Sequence, residues 1–290
     1  MEPVGVKTKW MAILGVFLGL MVGWAPVGLG DEAKPEEKKA EEPEKLQGNV
    51  QTDFLSQYVW RGQGLSRNSG VIQPSGTLTY RGFSVNVWGN LDTNEQNPYG
   101  RSKNRGLAWN EGDFTFSYTR EVFTNLTLTG GLIYYLYSSN NYPYNSIEIY
   151  GGADYKLPWF NFGFNVYREI NNYPGTYLMW YVHRAIDIPY LVEGMNLDLM
   201  ASWSAEFSND RFAYPVYNSS GEVTDQYFRG LNVGYLAVSL NIPVGKYLVV
   251  APKVQYWYAL GGQSTATLSG LSWDSKHNHI LGGLNVTVNF

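Results

Sequence analysis

Residue types that could carry chemistry are scarce in this chain. Its 290 residues include three histidines and no cysteine. A hydrolytic serine or acid constellation would have to recruit His183, His277 or His279, and no Gly-x-Ser-x-Gly elbow is present. His277 and His279 stand two residues apart, so a strand would place them on one face with Asp274 close in sequence. Such a pair suits a metal ion, but no third ligand follows at a telling spacing. The expectation is therefore two exposed rim histidines, no catalytic residue, no metal and no cofactor. Whether His183 or Arg184 points inward depends on a strand register that the pattern leaves open.

The other polar and charged groups recur on one face of alternating runs. They are Asp53, Gln57, Arg61, Asp113, Glu148, Asp154, Lys156, Asp198, Glu206 and Lys253, with Asn165, Glu169, Gln255 and Asn285 beside them. Both signs occur. Such a set can line a water-filled lumen that passes small polar solutes, or it can pair across a narrow lumen and close it.

Positioning these groups requires strands. From Ile280 onward one face reads Ile280, Gly282, Leu284, Val286, Val288, Phe290 and the other His279, Leu281, Gly283, Asn285, Thr287, Asn289. This period of two separates apolar from polar side chains across a sheet. About twelve such runs follow residue 47: 49–61, 71–80, 83–92, 112–121, 125–138, 146–157, 160–170, 176–187, 195–207, 228–242, 247–260 and 277–290. In the tenth the register slips between Leu231, Val233, Tyr235 and Leu236, Val238, Leu240, which reads as a bulge or as a strand with apolar residues on both faces. Connections alternate between short and long, as turns and loops do at the two ends of a transmembrane barrel. The fold class expected is all-β: a closed antiparallel transmembrane β-barrel of about twelve strands, with apolar sets such as Phe114, Phe116 and Tyr118 toward lipid. Tyr58, Trp60, Tyr80, Trp88, Trp109, Tyr134, Tyr155, Trp159, Tyr177 and Trp257 are expected in aromatic girdles at the two headgroup levels. A last strand ending on Phe290 resembles the assembly signal of outer-membrane barrels.

Residues 1–30 read as a signal peptide, with Lys7 and Lys9 before an apolar run too short to span a bilayer as a helix. Residues 31–47 form a charged Lys/Glu/Pro linker with nothing to bury, expected to be disordered in the periplasm. The barrel is expected over 48–290. Loss of Lys7, Lys9 and Glu2 would lower 21 basic residues to 19 and 25 acidic residues to 24, a formal charge of −5. Nucleic acid is excluded as a partner on that balance. Aromatic residues make up 16% of the chain, yet mean hydropathy is −0.26, a mixture that suits a membrane barrel better than membrane helices.

Asp53-Phe54-Leu55-Ser56-Gln57-Tyr58-Val59-Trp60-Arg61-Gly62, and later Gly82-Phe83-Ser84-Val85-Asn86-Val87-Trp88-Gly89, resemble two segments of the bacterial family labelled gcw_chp. Members of that family are uncharacterised exported proteins that look like outer-membrane barrels. The resemblance implies location and fold and supplies neither substrate nor catalytic residues. The acidic linker departs from its pattern.

The partners implied are outer-membrane lipid, the barrel-assembly machinery and a small polar solute. A narrow channel for small polar solutes is the leading reading. A non-conducting structural or surface-binding barrel and a barrel-rim hydrolase are the alternatives.

Overall fold

The computed structural model describes residues 45–96, 105–138, 144–188, 190–210, 213–218 and 220–290. The leader expected over 1–30 and the linker up to residue 44 lie outside the described residues. In chain order the strands are β1 (Gln47–Leu55), β2 (Val59–Trp60), β3 (Gln63–Gly64), β4 (Val71–Tyr80), β5 (Phe83–Glu95), β6 (Arg105–Phe123), β7 (Leu126–Tyr137) and β8 (Ser146–Lys156). They continue with β9 (Asn161–Glu169), β10 (Gly175–Asp187), β11 (Asn196–Ser208), β12 (Pro215–Tyr217), β13 (Val223–Tyr227), β14 (Arg229–Val244), β15 (Leu248–Ala259) and β16 (His279–Asn289). One helix, α1 (Gly262–Leu271), precedes β16.

Twelve of these strands close into one antiparallel barrel in the order β1, β16, β15, β14, β11, β10, β9, β8, β7, β6, β5, β4. The seam is β1 on β16, from Asn49 opposite Asn289 to Leu55 opposite Gly283. It is extended at each end by backbone bonds of 2.9 Å, Gly48 with Phe290 in both directions and Ser56 N–H to the Gly282 carbonyl. Two further hairpins, β2 with β3 and β12 with β13, stand outside the ladder.

The faces follow the alternation. Val85, Val87, Phe114, Phe116, Leu132, Ile149, Phe164, Val238, Val254 and Ile280 are exposed on the outside, while Gln73, Ser75, Ser117, Glu148, Ser202, Ser204 and Glu206 are buried inside. A water-soluble protein hides its apolar groups. This inverted distribution is the one that a lipid-facing belt requires. Among the described residues no helix is long and apolar enough to cross a membrane. The interior is held by side-chain ladders: Gln73 donates to Asn90 at 2.9 Å, Asn90 to Asn110 at 2.7 Å and Asn110 to Glu95 at 3.3 Å.

The strand count agrees with the alternation, and four details differ from it. The first wall strand stops at Leu55, not at residue 61, because the chain turns inward and its alternation continues through β2. β5 and β6 run past the expected 92 and 112, to Glu95 and from Arg105, where the Arg105 guanidinium grips the Glu95 carboxylate at 2.6 Å. α1 occupies a stretch expected to be loop. Half of the expected girdle faces inward: Tyr58 packs on Trp88 with ring centroids 5.7 Å apart, Tyr177 is buried, and Trp60 and Trp257 pack on Tyr135 and Tyr235. Tyr80, Trp109, Tyr155 and Trp159 remain exposed outside. The expected slip in β14 is a register shift of its pairing with β11, between Trp203 and Ala205.

Leu284 lies midway along β16 on the outer face, opposite Phe54 and Pro252. Leu284→Arg is expected to cost about 2–4 kcal/mol in a bilayer, the range for a cation near the midplane of a barrel's lipid face. Reversible urea unfolding in lipid vesicles measures this, and an unchanged midpoint would contradict the face assignment.

Candidate functional site

The inward turn after β1 creates the most constrained region of the molecule. Arg61 and Gly62, with φ of 48° and 84°, form the two-residue tip of the β2–β3 hairpin. Positive φ at both central positions is the signature of the tight hairpin turn that matches strand twist. Gly62 is required twice, since a Cβ there would also lie 2.8 Å from Val233 Cγ2 on β14. The hairpin touches strands from well-separated parts of the wall. Tyr58 donates to Glu111 on β6 at 2.9 Å, and Arg61 reaches β8, β9 and β10. Only a segment lying within the lumen makes all these contacts.

Two braces hold it there. Gly64 donates to the Ser272 hydroxyl at 3.0 Å and accepts from Trp273 N–H at 2.8 Å, so the segment after α1 pairs with β3. Gln57 donates both to the Ser66 carbonyl and to Asp274 Oδ2 at 2.9 Å. α1 itself packs Leu268, fully buried, toward Gly62, while its Gly270 lies flat against Tyr217 of β12.

Arg61 is the centre of the arrangement. Its two terminal nitrogens donate to both oxygens of Glu148 at 2.8 Å, a bidentate pair with side chains only 12% and 5% exposed. The guanidinium carbon lies 4.4 Å from the Trp60 ring centroid, 5.1 Å from Tyr167 and 4.2 Å from Tyr177. Tyr135 adds a hydroxyl donor to Glu148 at 2.7 Å. Burial works against the charge on Arg61, and Glu148, Tyr135 and Glu206 together outweigh it, so the guanidinium pKa moves up from its ordinary value. Beside the pair is a cavity of about 60 Å³ whose lining includes Trp60, Tyr135, Tyr177, Glu206 and Tyr214.

Elsewhere in the lumen the inward groups are wetter. Lys253 pairs with Asp53, side chains 17% and 20% exposed, and Asn285 donates to Asp53 at 3.0 Å. His183 faces inward and meets Asp198 Oδ2 at 2.7 Å, both side chains 31% exposed. This settles the His183 or Arg184 question, because β10 pairs with β11 in the register His183 opposite Met200. Tyr181 bonds Asp154 across the same level.

Of the residues named for the lumen, Arg61, Glu148 and Glu206 come together around the cavity, and Asp53 with Lys253 forms a second group. Asp113 is inward, its Oδ1 buried without a hydrogen bond among the described residues. Gln57 braces the hairpin rather than standing on the wall. Lys156, the last residue of β8, is exposed, and no described residue pairs with it. The rim histidines separate: His277 Nδ1 lies 3.1 Å from the Ser269 hydroxyl, whereas His279 is buried beside Asp274 with Nε2 to Oδ1 of 3.5 Å. Burial of His279 corrects the expectation that both are exposed, and the cause is α1 and the segment behind it folding over that end of β16. Among the described residues there is no group of three metal-ligating side chains. The tyrosines around Arg61 were not anticipated as its cage; their inward-face positions at the long-connection ends of β7, β9 and β10 were the available signal.

No family model and no curated protein matches the chain, and the resemblance to gcw_chp is confined to the quoted residues. Among solved structures it is similar to the NanC porin, with a TM-score of 0.50 at 9% identity over 84% of this chain and 100% of that one. The KdgM porin gives 0.47 at 10% identity over 83% and 99%. An outer membrane channel from Pseudomonas putida F1 gives 0.46 at 11% identity over 89% and 100%. The likeness to NanC concerns the barrel fold.

Truncating one member of a dry bidentate pair strands the other charge, at a typical cost of about 3–5 kcal/mol. Arg61→Met is expected to fall in that range, and Arg61→Met with Glu148→Gln to recover a substantial part of it. Urea midpoints of the two variants in detergent micelles test this; equal destabilisation by both would place the cost in lost packing instead.

Proposed function

We propose that this chain is an outer-membrane β-barrel that conducts small polar solutes through a narrow passage constricted by the β2–β3 hairpin. In this reading the outer apolar belt faces lipid, the barrel is inserted by the assembly machinery, and the charged linker of residues 31–47 extends into the periplasm after removal of the leader. The long connections and the inward hairpin lie at the extracellular end. No covalent chemistry is assigned.

The observation that carries the reading is the contrast in hydration between charged groups inside the barrel. Arg61 and Glu148 are nearly dry beside the hairpin, whereas Asp53, Lys253, His183 and Asp198 keep roughly a fifth to a third of their side-chain surface accessible. Paired, partly wet charges are the lining expected of a polar passage. The proposed pore-lining set is Asp53, Arg61, Asp113, Glu148, Asp154, Asp198, Glu206 and Lys253. Carboxylates outnumber the two cations within it, so the passage is expected to favour cations. A non-conducting barrel that displays its long connections is the second reading, and the hairpin across the lumen is the observation that favours it.

Single-channel recording on the refolded protein in a planar bilayer separates the two. Reproducible steps are expected, with a reversal potential displaced toward the cation in a salt gradient. Arg61→Ala, which frees the hairpin tip, is expected to enlarge the steps severalfold. A folded barrel that stays silent in both forms would overturn the channel reading in favour of the non-conducting one.

A further inference from the structure

Glu206 is the carboxylate that the lumen leaves unanswered. It projects inward from β11, is 5% exposed and lines the cavity beside Arg61. Its two acidic neighbours are fully engaged. Glu148 holds both terminal nitrogens of Arg61 and the Tyr135 hydroxyl. Glu169 accepts from the Ser146 hydroxyl and from the backbone N–H groups of Asn171, Asn172 and Tyr173. No described residue donates a hydrogen bond to Glu206. A carboxylate removed from water without donors is costly, and among the described residues the cavity lining carries three acidic side chains and one arginine.

The space beside Glu206 is shaped as well as charged. Gly175 starts β10 directly against it, and a Cβ at that position would stand 3.0 Å from Glu206 Oε1. Glycine keeps that side of the carboxylate open. Tyr177, Tyr214 and Trp60 supply aromatic walls to the cavity. About 60 Å³ is less than half the roughly 150 Å³ of a cavity that holds benzene, so an occupant has only a few heavy atoms. A metal ion is a poor fit, since the described acidic groups do not gather into a three-ligand set.

We propose that this cavity is a binding site for a small primary ammonium compound, whose charged head pairs with the Glu206 carboxylate while its short alkyl part lies against Tyr177 and Tyr214. Primary ammonium brings up to three donors to a carboxylate that has none. The site stands on its own geometry and does not depend on whether the barrel conducts.

The test is a titration of the refolded full chain in detergent with ethylammonium chloride, followed by intrinsic fluorescence, with Trp60 in the cavity wall as reporter. Potassium chloride at matched ionic strength and sodium propionate are the comparators. A saturable response to ethylammonium alone is expected, weakened at least tenfold by Glu206→Gln and preserved in Lys246→Gln, which neutralises an exposed charge in the turn between β14 and β15. If Glu206→Gln does not reach the folded, heat-modifiable form, Gly175→Val fills the same space with Glu206 intact, and the same loss is expected of it. No saturable response in the unaltered protein, an equal response in Glu206→Gln, or a response to propionate in place of ethylammonium would each overturn the proposal. Because binding is read without current, a silent barrel that binds ethylammonium would sink the channel reading and leave this site standing.

Discussion

Closure of the backbone ladder is the constraint from which the rest of this structure follows. β1 is bonded on both sides, to β4 along nine residue pairs and to β16 along seven, so it presents no free edge. In hydrocarbon each unpaired backbone group would cost several kcal/mol, and only a closed sheet removes them all. Closure then dictates the side chains. Every second residue must tolerate the outside and every second one the inside, which is why Ile280 is 74% exposed while the adjacent His279 and Leu281 are buried. A ring of twelve strands is also wider than the eight-stranded kind that wall side chains alone can fill. The chain answers with its own segments: the β2–β3 hairpin, α1 and β12 occupy the long-connection end.

Filling a lumen with backbone raises a second demand, because the hairpin brings unpaired polar groups inside. Each is met locally: Tyr58 N–H by the Ser66 hydroxyl, Leu65 N–H by the Tyr58 carbonyl, and Gly64 by the segment following α1. At the tip, the Arg61–Glu148 pair contributes position more than net stability. Desolvating two charges offsets much of their attraction, but a planar fork seated on one carboxylate and against three rings is satisfied in one orientation only. The hairpin is thus placed by geometry that a hydrophobic tip would not specify.

The wall was legible in the sequence because its signal is redundant. Twelve runs of alternating residues, and the slip between Leu231, Val233, Tyr235 and Leu236, Val238, Leu240 close to the shifted register of β14, carry the barrel almost strand for strand. What lies inside was less legible, for physical reasons. Period two is common to a wall strand and to an inserted hairpin, so Gln57, Val59 and Arg61 looked like a continuation of β1 until the backbone signs at Arg61 and Gly62 were known. Aromatic residues near strand ends serve girdles and lumen packing equally well, and composition does not separate Tyr177 from Tyr155. α1 has no apolar stripe: its buried residues are Ser264, Thr267 and Leu268, and Ser, Thr and Gly are indifferent or poor helix formers. Tertiary packing against Tyr217 and the hairpin makes it helical. Glu206 was named among lumen groups, but no pattern in the chain distinguishes it from Glu148; the difference is that only one of them was given Arg61.

The dry and wet charges of the lumen also differ in what they can do. Where side chains stay a fifth to a third accessible, as at Asp53 with Lys253 and His183 with Asp198, water screens each pair and its contribution to stability is small. Those positions are free to vary in charge without endangering the barrel. At the hairpin level screening is lost, so every charge there is either matched or waits for a match. Arg61 and Glu148 are matched to each other, and the cost of rearranging them holds the hairpin in place. Glu206, a few residues from the bulge that offsets β11 from β14, shares that dry environment without sharing the partner. The same exclusion of water that fixes the constriction therefore makes the neighbouring carboxylate selective for whatever cation is small enough to reach it.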